Sequence, residues 1–322
     1  MRLAALSVDL DEVPCYAAIH GLPAIEGEAA HAVYRNALPR FEALFDALGL
    51  RATFFAIGRD LEDETARAAV GRLHSSGHEI ANHSANHRYD LTRCTREEVR
   101  AEIEGGMSAI EAATGRPPRG FRAPGYTITD TVLEELESLG AAYDSSVFPC
   151  PSYYAAKAVA LSSIALRRRR SQSILGDPRV LRAPADPYRV GRPYYRRGSG
   201  LLELPIGVTR DVSARLPYIG TTLVLAGDAG AARLTRMIIG RPLVNLELHG
   251  IDLADAEPDG LAPLARQQPD LRRALDDKRR ALESAIWVLR GAGYQFVTLE
   301  RAAETFAQEW DGRTADRAPS GD

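Results

Sequence analysis

The chain has 322 residues, of which 45% are hydrophobic and 26% are charged, and its net charge at pH 7 is −3. This composition is that of a soluble globular protein, and the nearly balanced net charge gives no electrostatic reason to expect nucleic-acid binding. The length suits one large domain or two ordinary ones, and α/β barrels of this size are commonly one domain.

The N-terminal stretch 1–11 is apolar but short, and it ends in acidic residues. A signal peptide has a basic start, a longer apolar core and a small-residue cleavage site, so this stretch predicts a first strand instead. No apolar run reaches membrane-spanning length, and Cys15, Cys94 and Cys150 form no spaced pair. We therefore expect a cytoplasmic protein without a disulfide framework.

Strand-like and helix-like segments alternate regularly over the first half of the chain. The predicted strands are 3–8, 52–57, 78–83, 120–123 and 142–146, and the predicted helices are 32–48, 62–74, 95–113 and 129–139. The segment 13–30, which is interrupted by prolines and glycines, is predicted to be a loop. The alternation predicts a parallel sheet with right-handed crossovers, either open or closed into a barrel.

The alternation breaks at Phe148–Gly200, a segment punctuated by prolines. After it, strands are predicted at 201–208, 243–249 and 295–299, and helices at 270–289 and 300–310. Residues 1–310 are thus predicted to form one domain with an insertion or lid at about 148–200, and residues 311–322 a polar, disordered tail.

Unusual polar side chains follow the predicted strands at their C-terminal ends, where catalytic groups lie in parallel α/β folds. They are Asp9, Asp11, His83, His87, Arg122, Asp144 and His249. Asp9 and Asp11 point the same way because side chains alternate along a strand, and two carboxylates in one cleft are tolerated if a cation shares the site. His83 and His87 would share one face if the chain turned helical after its strand, and they would then bind one metal ion.

One of the two acids, together with both histidines, makes a two-histidine, one-carboxylate set with open positions, which suits a hydrolytic metal centre. The other acid is then free to take a proton from water that the metal activates, and Arg122 would hold that base in its ionised form. His249, on a distant strand, would donate a proton to the leaving group. The ordinary alternatives are surface histidines, strand-end acids, a surface ion pair for Arg122 and a core histidine at 249.

Five short segments, taken in order, resemble the motifs of the polysaccharide deacetylase family, the NodB homology domain of carbohydrate esterase family four. They are Ser7–Glu12, His83–His87 with the form His-Ser-x-x-His, Phe121–Tyr126, Tyr143–Ser146 and Leu248–Gly250. The resemblance spans nearly the whole chain. It implies an α/β fold of the distorted (β/α)7-type barrel, the NodB or glycoside hydrolase/deacetylase barrel, and a metal-dependent deacetylase acting on C–N bonds of non-peptide amides.

The resemblance also implies a role for each matched residue around the metal. Asp9 would be the general base, and Arg122 would orient it and keep it charged. Asp11, His83 and His87 would hold one divalent metal ion. Zn²⁺ is the expected ion, and Ni, Co, Mn or Fe would accept the same ligands.

A second group of matched residues lies toward the substrate. His249 would be the general acid, and Asp144 would tune it. The backbone N–H near Gly125 would help to stabilise the oxyanion. Gly125 and Tyr126, together with His20 in the segment after the first motif, are the candidate substrate-side residues, although His20 is equally explained as packing within that segment.

The first motif departs from the common family form, in which two adjacent aspartates are followed by Gly-Pro. Here Leu10 separates the two acids, and Glu12 and Val13 stand in place of Gly-Pro. This form resembles the Asp-x-Asp subgroup, which contains cytosolic-type peptidoglycan deacetylases, allantoinase-like proteins and lipid-linked aminosugar deformylases. The expected substrate is therefore an N-acetyl or N-formyl aminosugar, a glycan or a lipid-linked sugar.

Three other functions are compatible with parts of the pattern. A haloacid-dehalogenase-type phosphatase would use Asp9 as its nucleophile, but it needs an essential lysine, and the sequence contains only Lys157 and Lys278. A non-catalytic carbohydrate-binding relative would not need the full set of catalytic groups. A non-haem iron oxygenase shares the two-histidine, one-carboxylate set but not the alternating α/β pattern.

The segment Tyr153–Arg170 is apolar and ends in four consecutive arginines, Arg167–Arg170. It is predicted to be either a surface helix with solvated charges or an amphipathic lid that makes peripheral contact with a membrane surface or a lipid phosphate. The expected partners are otherwise a small-molecule, glycan or glycolipid substrate and no nucleic acid. No feature of the sequence indicates the oligomeric state.

Overall fold

The computed structural model describes residues 2–210 and 215–315, with side chains up to residue 310. The strands are β1 (Leu3–Asp9), β2 (Thr53–Ala56), β3 (Glu79–Asn82), β4 (Gly120–Phe121), β5 (Tyr143–Asp144), β6 (Tyr188–Val190), β7 (Arg197–Glu203), β8 (Leu243–His249) and β9 (Gln295–Phe296). The helices are α1 (Val13–Ile19), α2 (Leu38–Ala47), α3 (Glu64–Ser75), α4 (Arg96–Thr114), α5 (Asp130–Ser138), α6 (Pro151–Leu166), α7 (Gly220–Ile238), α8 (Leu275–Gly291) and α9 (Leu299–Ala315). Within these two ranges, no helix is both long and apolar enough to cross a membrane.

The strands form one curled sheet in the order β6-β7-β5-β4-β3-β2-β1-β8, and β9 pairs with β1. The pairings are parallel except that of β6 with β7. After β7 the chain joins the two sides of the sheet, because Leu204 N–H donates to Asp144 O and Gly207 N–H donates to Asn245 O, both at 2.9 Å. This curled sheet, surrounded by helices, confirms the predicted distorted α/β barrel.

Strand β1 shows how the barrel separates an apolar base from a polar top. All seven of its residues are buried. Ala4, Leu6 and Val8 face outward and pack in the cluster that includes the helices around the sheet. The alternate positions face inward: Leu3 and Ala5 pack against residues of α9 that close the base. Ser7 and Asp9 continue this inward row, so their polar groups come to lie at the opposite end of the barrel.

The segment after Asp11 is not the predicted loop, because residues 13–19 form helix α1. Pro14 lies in the first turn, where its missing N–H costs nothing, and the Glu12 side chain accepts a hydrogen bond from Val13 N–H. The helix predicted at 32–48 is likewise divided, since a π-helical turn at Val33–Ala37 precedes α2. The Glu12 carboxylate also accepts from the N–H groups of Val33 and Tyr34 at 3.1 and 3.2 Å, which fixes that turn beside β1.

The predicted insertion, 148–200, contains α6, a short 3₁₀ helix at Pro178–Arg182 and β6. The strand predicted at 201–208 begins earlier, at Arg197, because it pairs with β6. The insertion is anchored to the barrel by Asp186, which accepts from Arg241 at 2.8 Å. At the C-terminus, α9 continues to Ala315, and the remainder of the predicted tail, 316–322, lies outside the described residues.

Candidate metal centre and active site

Asp9 ends β1 at the polar end of the barrel, opposite Phe55 of β2 and His249 of β8. Its side chain is 1% exposed, and its Oδ1 accepts a hydrogen bond of 2.6 Å from Arg122 Nη1. Asp11 follows two residues later, as the sequence predicted, and its carboxylate faces the same cleft. The two acids thus lie at one strand end but make different contacts.

His83 and His87 lie in a loop that follows β3. They do not lie on a helix, where their four-residue spacing would have placed them on one face. Ser84 and His87 have positive φ angles of 68° and 55°, which a helix excludes. The loop is held by side chains: Ser84 Oγ accepts from His87 N–H, and Glu102 of α4 accepts from both the N–H and the side-chain amide of Asn86. The two imidazoles nevertheless point at a common partner.

That partner is the Asp11 carboxylate, whose Oδ1 lies 3.2 Å from Nε2 of each histidine. Two ligand atoms that are each about 2.1 Å from one ion lie about 3.0–3.4 Å apart, which matches this spacing. Asp11 Oδ1 and His87 Nε2 are buried and have no hydrogen-bond partner. Unsatisfied buried polar atoms that converge in this way fit the donor set of a divalent cation.

The tautomer of His83 is fixed by its surroundings. Its Nδ1 lies 2.7 Å from the carbonyl oxygen of Arg122, which only accepts, so Nδ1 carries the proton and Nε2 presents a lone pair. Burial acts to raise the pKa of Asp11, but His87 and His83 outweigh it and hold that pKa well below its usual value. The carboxylate is therefore ionised at neutral pH.

Arg122 is fully buried and organises the interior around Asp9. Its guanidinium donates to Asp9, to Ser7 Oγ and to both the hydroxyl and the carbonyl of Ser145, at distances of 2.6–3.0 Å. Its charge also lies 4.1 Å above the ring of Phe55. Burial acts against the charged form, but Asp9 and Glu247 raise the pKa of Arg122, so the guanidinium stays charged and fixes the orientation of Asp9.

His249 approaches the same cleft from β8, and its neighbour is an acid that sequence reasoning missed. His249 Nδ1 lies 3.0 Å from Oε1 of Glu247, which is fully buried, and the ligand atoms of Asp9, Glu247 and His249 all lie within 4.8 Å of one another. Burial acts to lower the pKa of His249, but Glu247 and then Asp9 raise it to about 9. A Glu-x-His pattern at the end of an apolar strand was the available signal, because alternate residues point the same way.

The remaining predicted residues are less closely grouped around the cleft. Tyr126 Oη lies 3.1 Å from His249 Nε2, whereas His20 Nε2 lies 2.9 Å from Gln268 Oε1. Asp144 accepts from the hydroxyl and the N–H of Ser146, so the acid beside His249 is Glu247 and not Asp144.

Gly125 lies in a tight turn with φ of 62°, and its carbonyl accepts a 3.0 Å hydrogen bond from Lys157 Nζ of α6. Burial lowers the pKa of Lys157 to about 8. The insertion therefore contacts the loop that carries Tyr126, a link that nothing in the sequence pattern indicated.

Helix α4 can approach the histidine loop closely because two of its residues are glycines. A Cβ atom at Gly106 would lie 2.1 Å from Oδ1 of Asn82, and one at Gly105 would lie 2.9 Å from the side chain of Ala85. The same Asn82 oxygen accepts from Ser84 N–H. The Gly-Gly pair inside a predicted helix is thus explained by packing against the loop that carries both histidines.

A cavity of about 430 Å³ lies beside this loop. His87 and Tyr89 form one part of its wall, and Ala18 and Gly21, from α1 and the turn after it, form another. Arg170 completes it from the end of the arginine run. The cavity therefore leads from the surface to one of the candidate metal ligands.

Comparison with known proteins gives consistent matches. Residues 31–143 match the sequence profile of the family described as polysaccharide deacetylase, a span that contains His83, His87 and Arg122. A chitooligosaccharide deacetylase from Bradyrhizobium sp. (strain ANU 289) is 37% identical over 92 residues, which are 28% of this chain and 41% of that protein. The peptidoglycan deacetylase of Helicobacter pylori is 25% identical over 147 residues, which are 45% of this chain and 49% of that protein.

The matched regions span less than half the length of each of these relatives. Among solved structures, a candidate polysaccharide deacetylase from Mycobacterium smegmatis aligns over 91% of both chains with a TM-score of 0.51 and 19% sequence identity. At this identity the likeness concerns the fold, and it agrees with the curled barrel described above.

Proposed function

This chain belongs to the polysaccharide deacetylase family, and we propose that it is a metal-dependent hydrolase that removes an N-acetyl or N-formyl group from an aminosugar, a glycan or a lipid-linked sugar. The observation that carries the proposal is the convergence of buried ligand atoms of Asp11, His83 and His87, of which Asp11 Oδ1 and His87 Nε2 have no hydrogen-bond partner. They lie beside an acid, Asp9, that is already paired with a buried arginine. The named relatives act on carbohydrates by deacetylation, which supports the same substrate class here.

Asp11, His83 and His87 would hold one divalent cation, with Zn²⁺ as the expected ion. When bound, the cation supplies Lewis-acid chemistry, since it polarises the acyl carbonyl and makes water a stronger acid. The fixed tautomer of His83 keeps its Nε2 lone pair available, and burial of all three side chains excludes competing bulk solvent.

Asp9 would act as the general base. It lies 3.8 Å from His83 Nε2 through Oδ2, while its Oδ1 is held by Arg122, so one carboxylate oxygen is oriented and the other faces the cleft. In this arrangement Oδ2 would take a proton from the attacking water, while the hydrogen bond from the guanidinium holds Oδ1 in place.

His249 would act as the general acid at the other side of the scissile bond. Its Nδ1 is directed at Glu247, and its Nε2, which lies beside Tyr126 Oη, would donate the proton to the leaving nitrogen. A pKa raised to about 9 keeps the imidazole protonated at neutral pH. The Tyr126 N–H donates to Ala123 O, so we assign the oxyanion-binding role to the N–H of Gly125.

The lysines argue against the phosphatase alternative. Lys278 Nζ donates to the carbonyl of Ala254 and Lys157 Nζ to that of Gly125, whereas the cation bonded to Asp9 is Arg122. An aspartate nucleophile of that class needs a lysine at its site.

The decisive experiment separates metal binding from turnover. The protein is purified with each metal in turn, its metal content is measured by elemental analysis, and amine release from N-acetyl and N-formyl sugars is followed. We expect His83→Ala to lose the metal, and Asp9→Asn to keep the metal but lose most turnover, since removing a general base costs about 10²–10⁴-fold. Retained metal in the first variant, or near-full activity in the second, contradicts these roles.

A further inference from the structure

Helix α6 presents an unusual apolar surface. It contains 16 residues, most of them apolar, and none of them is buried. Val159 and Leu166 are 67% and 84% exposed. A helix that is apolar on most sides is normally covered by protein or by a membrane, so this surface indicates a partner outside the described chain.

The charged residues in the sequence segment that contains α6 are all basic. Residues 145–176 contain Lys157 and Arg167–Arg170 and no aspartate or glutamate. Because Lys157 is directed at the Gly125 carbonyl, the four arginines are the cations left at the surface, and all four are exposed. They follow Leu166 directly, so positive charge and apolar surface are continuous.

The arginine run is held in place next to the cavity that His87 lines. Ser171 Oγ donates to Ile19 O at 2.6 Å, and Gln172 N–H donates to Ala18 O at 3.2 Å, which fixes the end of the run against α1 and the turn after it. Arg170 itself lines the cavity of about 430 Å³ that reaches His87. The arginine run therefore borders a cavity that reaches one of the candidate metal ligands, His87.

We propose that α6 and the arginine run dock on the surface of an anionic lipid bilayer. Val159 and Leu166 would enter the boundary between head groups and acyl chains, and Arg167–Arg169 would pair with lipid phosphates. An anionic bilayer offers an apolar layer for Val159 and Leu166 and negative charge for the arginines, so it complements this surface in both respects. A second copy of the chain is a poorer match, because residues 145–176 of that copy offer the same apolar surface but no acidic residue to pair with the arginines.

Docking in this way places the cavity opening at the membrane surface. If the proposed deacylation is correct, the acylated amine would then be presented by a lipid that carries it. The docking itself does not depend on catalysis, so it is tested by binding alone.

The test is co-sedimentation of the full chain with vesicles of phosphatidylcholine, with and without phosphatidylglycerol. We expect binding only when phosphatidylglycerol is present, and weaker binding as salt is raised. The triple variant R167Q/R168Q/R169Q should reduce partitioning by roughly a hundredfold, since each basic residue near an anionic surface contributes about a fivefold factor to the affinity. The matched variant R233Q/R236Q/R279Q removes the same charge from exposed positions on α7 and α8 and should bind like the wild type.

A second variant tests the apolar contribution. Val159→Ser with Leu166→Ser should reduce partitioning by roughly tenfold or more while circular dichroism and the melting temperature stay unchanged, because both side chains are exposed. Failure of the wild type to bind phosphatidylglycerol vesicles at low salt would overturn the proposal, as would an equal loss in the two triple variants. If the chain forms a dimer in the absence of lipid and the double serine variant is monomeric, the surface is instead an interface between two copies of the chain.

Discussion

Replacing Glu247 by glutamine is expected to lower the pH at which His249 loses its proton. The Glu247 carboxylate lies 3.0 Å from His249 Nδ1 at the end of β8. Burial raises the pKa of Glu247 to about 7, although His249 opposes this effect, and the pKa of His249 is about 9. Between these pH values the pair consists of a carboxylate and an imidazolium, and the glutamine variant has lost the negative charge.

The size of the effect follows from what remains after the substitution. An unperturbed imidazole titrates near pH 6.5, while Asp9 and Asp252 still favour the protonated form of His249. We therefore expect His249 to titrate about 1–2 pH units lower in the variant, which corresponds to about 1.4–2.7 kcal/mol of lost interaction with the imidazolium. The proposed role of His249 as general acid requires its proton, so the decline of activity on the alkaline side should move to lower pH by the same amount.

Two measurements check this expectation. An NMR titration of the His249 ring, assigned with the variant His249→Asn, measures the protonation of the imidazole directly. The pH dependence of kcat/KM measures the effect of that protonation on activity. Glu257→Gln, an exposed position after β8, is the matched control and should leave both curves unchanged. A folded Glu247→Gln protein in which His249 titrates as in the wild type would refute the assigned coupling.

Three further substitutions test the parts that support the site. Gly106→Val should lower the free energy of unfolding, measured in urea, by about 3 kcal/mol, because the new side chain would overlap the Asn82 amide. Gly291→Val, in open space at the end of α8, should lower it by less than about 1 kcal/mol. Equal losses in the two variants would contradict the packing argument. Glu102→Ala should weaken metal binding by about 10–100-fold in a chelator competition, because it frees the histidine loop, whereas the exposed Glu104→Ala should not. Burial raises the pKa of Glu79 from 4.5 to about 7, so the folded protein binds this proton more tightly than the unfolded chain does. The free energy of unfolding should therefore fall by up to about 3 kcal/mol as the pH rises from about 4.5 to about 7. Glu79→Gln should remove this pH dependence of the free energy of unfolding between pH 4.5 and about 7. An unchanged pH dependence in the variant would argue against Glu79 as its source.

The strand ends were predictable because buried parallel strands have a distinctive composition. Strand β1 is a run of apolar residues that stops at Asp9, and strand β8 is another that stops at His249. Since the carboxyl ends of parallel strands meet at one edge, residues 240 positions apart in sequence could be expected in one cleft. The register of Asp9 opposite His249 agrees with that expectation.

Other features depend on contacts that local patterns do not encode. Pro14 suggested a loop, but it occupies a helix start that the Glu12 side chain completes. The spacing of His83 and His87 suggested a helix, but their loop conformation is set by Glu102 from a helix further along the chain. Glu247 was overlooked because an acid inside an apolar strand is recognisable only once its partner His249 is considered with it.

The hydrogen bond from Lys157 to the carbonyl of Gly125 has a consequence for attempts to exchange parts of this protein. The turn at Gly125 presents Tyr126 to His249, and the lysine ties this turn to the insertion. A chimera that took residues 148–200 from a relative with no lysine at the matching position would keep every proposed metal ligand but would lose this hydrogen bond. Transplanting the segment would therefore change how Tyr126 is held beside His249, even where the grafted chain folds normally.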